Sequence, residues 1–548
     1  MIRLTDLTGY EEAHRHFSKA GLWELFDGDR AAFNIGHECV DRHPAGRVAV
    51  RVAFAEGGDE AYTFGELREG SNRFAAWLRK KGIAKGVRVA IMLEPSFLFY
   101  AALFGAMKAG CIAVPLFTLF GPEGLKLRLR DCTPRLLLAA PGHALLDSHA
   151  ALASQVEVPG VVEVAEVVCG DAGFIGSLPE ADVDFRPETS AEDPAMFQYT
   201  SGTTRERPEA VRHSHKALVT VMIAALYGTG IRPGDRFMCP SSPAWGHGLW
   251  HGTLAPLALG IETAAYAGPF RPERLLKALR DYRITNLSAA ATHYRMMMKA
   301  ANAGAQGLEV EKLSFTGEPM DSATAEWAGR AFGREVCSMY GTTEVGVMLA
   351  QYPGAPDFEV VRGALGKPVP GVELEIQDDA GRPCPPGIVG HLMVRRRDGW
   401  FATKDRAHRD ARGVYYHDGR ADDVIISAGW TMSPVEIEDV LLKHPQVAEA
   451  AVIGVPDPDK GQVAMAFIVP RPPGTQPDCE ELQRFVKTQL SRHEYPREIA
   501  IVDSLPKTQA GKINRKALRE AERAGLVEKT DSLEQTGAAE QKGAAERP

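Results

Sequence analysis

The sequence predicts an α/β protein of at least two domains, with a large N-terminal part and a smaller α+β part at the C-terminus. Three observations support this: the length of 548 residues, a repeated alternation of strand-like and helical segments, and a change of pattern after about Gly363. A chain of this length exceeds the size at which a single hydrophobic core stops growing. Hydrophobic residues make up 45% and charged residues 24%, which is ordinary for a globular protein.

The N-terminal segments predict a parallel β-sheet. Apolar residues that share one helix face predict helices over residues 64–81 and 97–109, and apolar runs over 86–93 and 111–116 predict buried strands. Strand, helix and strand in this order favour a right-handed crossover between parallel strands. The same alternation returns after Ala210.

The segment after Gly363 has a different texture. Short runs such as 372–376 alternate apolar and polar residues, and turn-forming residues separate them, which predicts antiparallel strands. After about Asp422, a helix over 434–443 and strands over 450–455 and 464–469 predict a smaller α+β unit. We therefore expect an N-terminal domain over 1–421, a C-terminal domain over 422–530 and a disordered tail, poor in large apolar residues, over 531–548.

Composition and charge exclude several classes of protein. The net charge of −8 and the absence of a basic tract argue against a nucleic-acid partner. No apolar run reaches the roughly 18 residues of a membrane span, and the N-terminus lacks a signal-peptide pattern, so we expect a cytoplasmic protein without a membrane partner. The eight cysteines form no Cys-x-x-Cys pair, which favours reduced core thiols over a zinc site.

A hydroxyl-rich loop is the first candidate site. It follows the apolar Met196-Phe197 and offers four hydroxyls and a glycine within five residues. Such a loop can wrap phosphate oxygens with hydroxyls and closely approaching amides. A Ser/Thr-rich surface turn is the alternative, and no Gly-Lys-Ser/Thr motif follows. The residues are Thr200, Ser201, Gly202, Thr203 and Thr204.

Two further segments favour phosphate chemistry. Tyr340-Gly341-Thr342-Thr343-Glu344 follows a predicted strand over 335–339 and sets a hydroxyl beside a carboxylate that could hold Mg²⁺. Near the C-terminus, Lys512 lies next to a glycine in a polar segment. Taken alone, the lysine segment is also typical of a solvated basic turn.

Together these segments resemble the AMP-forming acyl-CoA synthetases, the family that also includes peptide-synthetase adenylation domains and firefly luciferase. The resemblance spans about Asn34 to Arg519, and the motifs stand in the family's order. Those motifs are the hydroxyl-rich loop, Thr316-Gly317-Glu318-Pro319, the Tyr340 segment, 366–371, Asp405, 419–423 and the Lys512 segment.

The resemblance implies a fold and a set of cofactors. The expected fold is a large N-terminal domain of layered α/β subdomains plus a small β-barrel, capped by a mobile α+β C-terminal domain. The implied reaction uses ATP, Mg²⁺ and coenzyme A with a small-molecule carboxylic acid, and we expect a monomer or homodimer.

The resemblance also implies roles for individual residues. Thr200 to Thr204 would hold the ATP phosphates, and Lys512 would be the catalytic lysine. Thr343 would contact the α-phosphate and Glu344 would bind Mg²⁺. The remaining positions would border adenine (Gly317, Glu318, Pro319, Ser338, Tyr340), hold the ribose (Asp405, Arg420), form the hinge (Asp422) and admit pantetheine (Gly429).

The implied acyl pocket mixes bulky and small residues. This mixture favours a short or medium, branched, alicyclic or monoaromatic acid. His247 is equally well interpreted as a hydrogen-bonded core histidine, and Trp245 as a core residue. The residues are Trp245, His247, Gly248, Gly341 and Gly346.

Three positions depart from the family pattern. Glu209 stands where the family has a lysine, with Arg205 and Arg207 as candidate substitutes for its charge; Lys404 stands where the family has glycine, and Thr431 where it has arginine. The alternatives to a CoA ligase are therefore an enzyme that loads a carrier protein, a luciferase-like oxygenase and a non-catalytic binding protein.

Overall fold

The computed structural model describes residues 3–120, 122–140, 166–180, 185–199, 209–300, 307–342, 345–420, 423, 425–427, 430–457, 461–490, 495–508 and 512–527. These residues fall into two compact units. Unit 1 comprises Met1–Gly317, Trp327–Val361 and Pro368–Gly371, and unit 2 comprises Glu318–Glu326, Arg362–Lys367 and Val372–Pro548.

Unit 1 contains two largely parallel sheets. The first has six strands, of which the last is antiparallel to its neighbour. In spatial order they are Glu166–Cys169, Leu136–Ala139, Arg88–Met92, Ile112–Pro115, Pro194–Gln198 and Val211–Ser214. The second sheet is parallel from Val336–Thr342 to Val48–Phe54 and antiparallel at both ends. Its strands are Gly346–Ala350, Val336–Thr342, Lys312–Thr316, Asn286–Ala290, Phe237–Met238, Thr263–Ala267, Val48–Phe54 and Asp59–Thr63.

The helices of unit 1 start where the sequence provides a capping side chain. Thr63 and Glu66 form a reciprocal capping box at the start of Phe64–Lys80, and the Ser96 hydroxyl accepts from the Phe99 amide at the start of Phe97–Lys108. The α-helices of unit 1 are Tyr10–His16, Phe64–Lys80, Phe97–Lys108, Pro122–Cys132, Ala172–Ser177, Ala217–Ile223, Ala255–Ala258, Pro272–Asp281 and Ala291–Lys299, and Ser322–Phe332 runs from unit 2 into unit 1. The shorter 3₁₀ and π-helical segments are Leu4–Asp6, Trp23–Leu25, His37–Asp41, Ala224–Gly228 and His247–Leu254.

A lysine is buried inside unit 1 and has its charge matched. Lys108 is fully buried, and its Nζ lies 2.5 Å from Asp41 Oδ1 and 2.8 Å from both Ser71 Oγ and Asn72 Oδ1. A buried cation without such partners would be strongly destabilising. The apolar run 97–109 can therefore pack on all sides and still end in a lysine.

Unit 2 contains two further sheets. The first is antiparallel, with strands Leu374–Gln377, Gly390–Arg396, Gly399–Arg409, Tyr415–Arg420 and Ala364–Pro368 in spatial order. The second has strands Trp430–Met432, Ile425–Ser427, Gly461–Pro470 and Val447–Asp457, with Glu498–Ile501 parallel to Gly461–Pro470. Its helices are Pro434–Leu442, Cys479–Gln489 and Arg515–Arg523.

The last sheet has a hydrophobic cluster on each face. Ile437 and Leu482 pack in one cluster, and Phe467 and Leu518 pack in the other. This two-sided burial explains why its long strands are apolar almost throughout.

The α/β fold class and the order of its elements are confirmed. The predicted helices 64–81 and 97–109 and strands 86–93 and 111–116 are present within two residues at each end. The structure groups the antiparallel strands 364–420 with the C-terminal sheet, so the predicted boundary between 421 and 422 stays a prediction. The predicted tail lies outside the described residues.

Two other expectations can be compared with the structure. Cys39, Cys111, Cys132, Cys239 and Cys337 are buried free thiols as expected, but Cys169 is exposed at the end of an edge strand. Across the described ranges, no helix is both long enough and apolar enough to span a bilayer.

Candidate active site

The base of the hydroxyl-rich loop is fixed by one carboxylate. Asp131 Oδ2 lies 2.7 Å from Tyr199 Oη and accepts a hydrogen bond of 2.9 Å from the Ala210 amide. Burial is the main cause that raises the pKa of Tyr199, so its hydroxyl stays protonated and can donate. Asp131 thus ties together the residues on either side of the loop. Thr200, Ser201, Gly202, Thr203 and Thr204 themselves lie outside the described residues.

The predicted acyl segment continues into a π-helix. Trp245 is half-buried, with its ring centroid 5.3 Å from that of Phe117, and the π-helical turn His247–Leu254 follows. π-Helical turns are rare and are often found at functional sites. The aromatic pair provides an apolar wall in unit 1.

Gly248 has a packing reason to be glycine. A Cβ at this position would lie 2.2 Å from the Ser241 carbonyl oxygen and 2.3 Å from that of Ser242. No side chain fits without moving the backbone. The predicted role of Gly248 in the pocket is therefore additional to a requirement of the fold, and it stays a prediction.

His247 lies in a network of hydroxyl groups. Its Nδ1 is 3.1 Å from Ser241 Oγ, and its Nε2 is 2.9 Å from Ser288 Oγ, which in turn accepts from the Ser314 hydroxyl. Burial holds the pKa of His247 well below its ordinary value, so the ring is neutral. Because both ring nitrogens already have partners, the geometry favours the core interpretation over direct contact with a substrate.

The strand Lys312–Thr316 leads into the predicted adenine segment. Gly317 follows it with a φ of +96°, a left-handed conformation that glycine adopts without steric cost. Glu318 is half-buried and Pro319 is exposed. The glycine of this motif is explained by backbone geometry, whereas contact of the three residues with adenine stays a prediction.

The Tyr340 segment forms a hairpin. Strands Val336–Thr342 and Gly346–Ala350 pair antiparallel, with Thr342 opposite Gly346. A Cβ on Gly341 would lie 2.2 Å from the Gly346 carbonyl oxygen, and Gly346 has a φ of +87°. Both glycines are therefore needed for this tight hairpin. Thr343 and Glu344, at its tip, lie outside the described residues.

Ser338 and Tyr340 lie on the first strand of that hairpin. Ser338 is buried, and its amide donates to Gln351 Oε1 at 3.0 Å. Tyr340 is half-buried. The structure places both at the carboxyl end of a parallel strand, the usual location of ligand sites in such sheets.

In unit 2 the structure brings Asp405 and Arg420 together. They are opposite each other in the antiparallel pair Gly399–Arg409 and Tyr415–Arg420. Asp405 is 5% exposed, its amide donates to Thr403 Oγ1 and its Oδ1 lies 3.5 Å from His417 Nε2. An aspartate and an arginine fifteen residues apart in sequence are thus neighbours, which fits one shared ligand.

Lys404 occupies a glycine-like backbone position. Its φ is +68°, in the left-handed region that costs a non-glycine residue roughly 1–2 kcal/mol. The family glycine at this position is therefore explained by geometry. The departure in this chain keeps the same conformation at an energetic cost.

Lys512 closes a short hairpin in unit 2. The Thr508 amide donates to the Lys512 carbonyl at 2.7 Å, and the Lys512 amide donates back to Thr508 Oγ1 at 3.2 Å. On the same turn, Lys507 Nζ lies 2.7 Å from Glu449 Oε2. The hinge residue Asp422 and the pantetheine residue Gly429 lie outside the described residues, and the Arg420 side chain is likewise not described.

Metal-binding groups were predicted only at Glu344. Over the ranges that the structure describes, no three His, Cys, Asp or Glu side chains come together as a metal-binding group. The expectation that Mg²⁺ is held between Glu344 and substrate phosphates rather than in a protein cage stays a prediction.

Comparison with known proteins follows from this geometry. The AMP-binding enzyme family matches residues 37–400, and the AMP-binding enzyme C-terminal domain matches residues 436–512. The chain belongs to the AMP-binding enzyme family. The predicted resemblance to the adenylate-forming enzymes is thereby confirmed.

Relatives of this AMP-binding enzyme carry different substrate names. It is 31% identical to acetyl-coenzyme A synthetase of Bacillus subtilis (strain 168), over 94% of this chain and 96% of the relative. It is 30% identical to 3-hydroxybenzoate–CoA ligase of Aromatoleum sp. (strain CIB), over 90% and 98%. The crystal structure of ATP-bound MatB from Rhodopseudomonas palustris superimposes with a TM-score of 0.76 at 25% identity, over 89% and 98%.

Proposed function

We propose that this protein is an AMP-forming carboxylate–CoA ligase that acts on a small carboxylic acid. The observation that carries the proposal is the presence, on one chain, of both the large AMP-binding domain and its C-terminal domain. Relatives matched over nearly their full length are named as acid–CoA ligases or synthetases. ATP, Mg²⁺ and coenzyme A are the reactants and metal of such ligases.

The reaction has two steps. A carboxylate oxygen of the acid attacks the α-phosphorus of ATP, and pyrophosphate leaves to give an acyl-adenylate. The sulfur of coenzyme A then attacks the acyl carbon, AMP leaves and the thiol proton is released. Charge builds up on the transferring phosphoryl group in the first step, so cationic groups positioned there accelerate it.

The predicted residues divide between these steps. We assign Thr200 to Thr204 to the ATP phosphates, Glu344 to Mg²⁺, and Thr343 and Lys512 to the α-phosphate. Asp405 and Arg420 are assigned to the ribose, and their cross-strand pairing supports this role because two adjacent ribose hydroxyls need two adjacent polar partners.

The acid is proposed to be short or medium, branched, alicyclic or monoaromatic. The Phe117–Trp245 pair supports this, because two packed aromatic rings leave a flat, confined wall rather than a long tunnel. Relatives of nearly equal identity are named for acetate and for 3-hydroxybenzoate, so overall identity does not discriminate among small acids.

One assay tests the proposal. AMP and pyrophosphate release are measured with a panel of small acids, with and without coenzyme A, and acyl-CoA is detected by mass spectrometry. We expect acyl-CoA and AMP in equal amounts with at least one acid. Pyrophosphate release with no thioester would instead indicate an enzyme that loads a carrier protein, and no release with any acid would contradict the proposal. The cytoplasmic location and the monomer or homodimer state stay predictions.

A further inference from the structure

Gln198 is the last residue of its strand and lies directly before the hydroxyl-rich loop. Its side chain is 3% exposed. Trp250 Nε1, which can only donate, lies 2.9 Å from one atom of the Gln198 amide, so that atom is the oxygen. The tryptophan thereby fixes which way the amide faces.

The other end of the amide is a buried donor that lacks an acceptor. Gln198 Nε2 has no hydrogen-bond partner among the residues that the structure describes. Leaving a buried donor unsatisfied costs about 1–3 kcal/mol. Such a cost is expected where a ligand supplies the missing acceptor.

The position of Nε2 says which ligand. A Cβ built on Gly246 would have Gln198 Nε2 as its nearest neighbour, at 3.5 Å. The amide nitrogen therefore lies beside the backbone between Trp245 and His247, the segment proposed to line the acyl pocket. His247 does not compete for the same ligand atom, because Ser241 and Ser288 already lie within hydrogen-bond distance of its ring nitrogens.

We infer that Gln198 is a specificity-determining residue whose Nε2 donates a hydrogen bond to an oxygen acceptor on the acyl group. The inference rests on the proposed function, since it places the acid beside Gly246. The preferred substrate class is then a small acid that carries a hydroxyl, ether or oxo oxygen away from its carboxylate. The apolar remainder of the acid packs against Phe117 and Trp245.

The experiment compares acids in isosteric pairs, one with an acceptor oxygen and one with carbon in its place. Suitable pairs are 3-methoxybenzoate with 3-ethylbenzoate and 4-oxopentanoate with 4-methylpentanoate, with the oxygen also tested at neighbouring positions. The readout is the ratio of kcat/KM for acyl-CoA formation within a pair. The wild-type enzyme should prefer one oxygen-bearing acid by about 5- to 100-fold, the range for one satisfied buried donor.

Two variants assign that preference to Gln198. Gln198→Met should bring the ratio close to one. Gln198→Glu keeps an acceptor for Trp250 but removes the donor, so it should disfavour the methoxy and oxo acids and favour acids with a hydroxyl donor. Gln483→Met is the matched control, because Gln483 is equally buried but donates to the Arg497 carbonyl in unit 2. It should leave the ratio unchanged.

The outcomes separate this inference from the proposed function. If no acid gives acyl-CoA, the proposed function fails. If acids are converted but no oxygen-bearing acid is preferred, or if the preference survives in both Gln198 variants, the role of Gln198 is refuted. Should Gln198→Met fail to fold, Trp250→Phe replaces it, because loss of the indole N–H frees the amide to rotate and should weaken the preference.

Discussion

Single glycines in the site are determined by neighbouring carbonyl groups as much as by ligands. Gly248 and Gly341 each face a backbone oxygen at 2.2 Å from the position of a Cβ. Both were predicted from the resemblance as small residues of the pocket. Their packing could not be predicted from the sequence, because the opposing carbonyls belong to Ser241 and Gly346 in the folded chain.

Gly248→Ala tests the packing explanation. The added methyl group would collide with the Ser241 and Ser242 carbonyls, and overpacking of this kind costs about 1–3 kcal/mol or more. We expect a lower midpoint in thermal unfolding. The control is Gly246→Ala, two residues away, where a Cβ would meet no atom closer than 3.5 Å. Equal stability of the two variants would contradict the explanation.

At the scale of the element, the phosphate loop depends on a residue that the sequence did not single out. Asp131 accepts from Ala210, 79 residues later in the chain, and lies within hydrogen-bond distance of Tyr199. Nothing in the local pattern around Asp131 indicates this, since the three residues become neighbours only through the fold. The loop motif itself is local and could be found from the sequence.

Asp131→Ala should therefore disturb ATP binding without contacting ATP. Loss of the carboxylate releases both ends of the loop, and we expect kcat/KM for ATP to fall about 5- to 100-fold, mostly through KM. Asp171→Ala is the control, because Asp171 also accepts from a backbone amide, that of Phe174, but caps a helix elsewhere in unit 1. Unchanged ATP kinetics in Asp131→Ala would show that the loop keeps its shape without this anchor.

The regular elements were predicted more fully than the irregular ones. Helix Phe64–Lys80 and helix Phe97–Lys108 start at the capping residues Thr63 and Ser96 and so could be located within two residues. The π-helical turn His247–Leu254 has no comparable signal, because its apolar residues fit an ordinary helical period equally well. Its contacts with Gln198 and Ser288 come from distant strands.

The whole molecule carries its predicted catalytic groups in different compact units. Gln198, His247 and Tyr340 belong to unit 1, whereas Asp405 and Lys512 belong to unit 2. The order of the motifs revealed the family from the sequence alone, because each motif is a short local pattern. The division of the chain into units depends on long-range packing, and there the structure groups the strands around Asp405 with the C-terminal sheet.

The Lys512 hairpin allows the two half-reactions to be tested separately. Lys512 is held at its backbone by Thr508, while its side chain extends from a turn of unit 2. By the family resemblance, its ammonium group meets the α-phosphate during adenylation only. Thiol attack on the acyl-adenylate expels AMP, a good leaving group, and needs no such cation. Lys512→Ala should therefore slow adenylation by at least about a hundredfold, the scale for one lost transition-state donor.

The same variant should form thioester at close to the normal rate when it is given synthetic acyl-adenylate and coenzyme A. Gly429→Leu is the opposite control, since a side chain at the pantetheine entrance should block thioester formation and leave pyrophosphate release nearly intact. Lys507→Ala is the matched control on the hairpin, because Lys507 pairs with Glu449 and its loss should spare both steps. Equal slowing of both half-reactions in Lys512→Ala would contradict a lysine used in one step only, and would assign it either to the fold of the hairpin or to both steps from one fixed position.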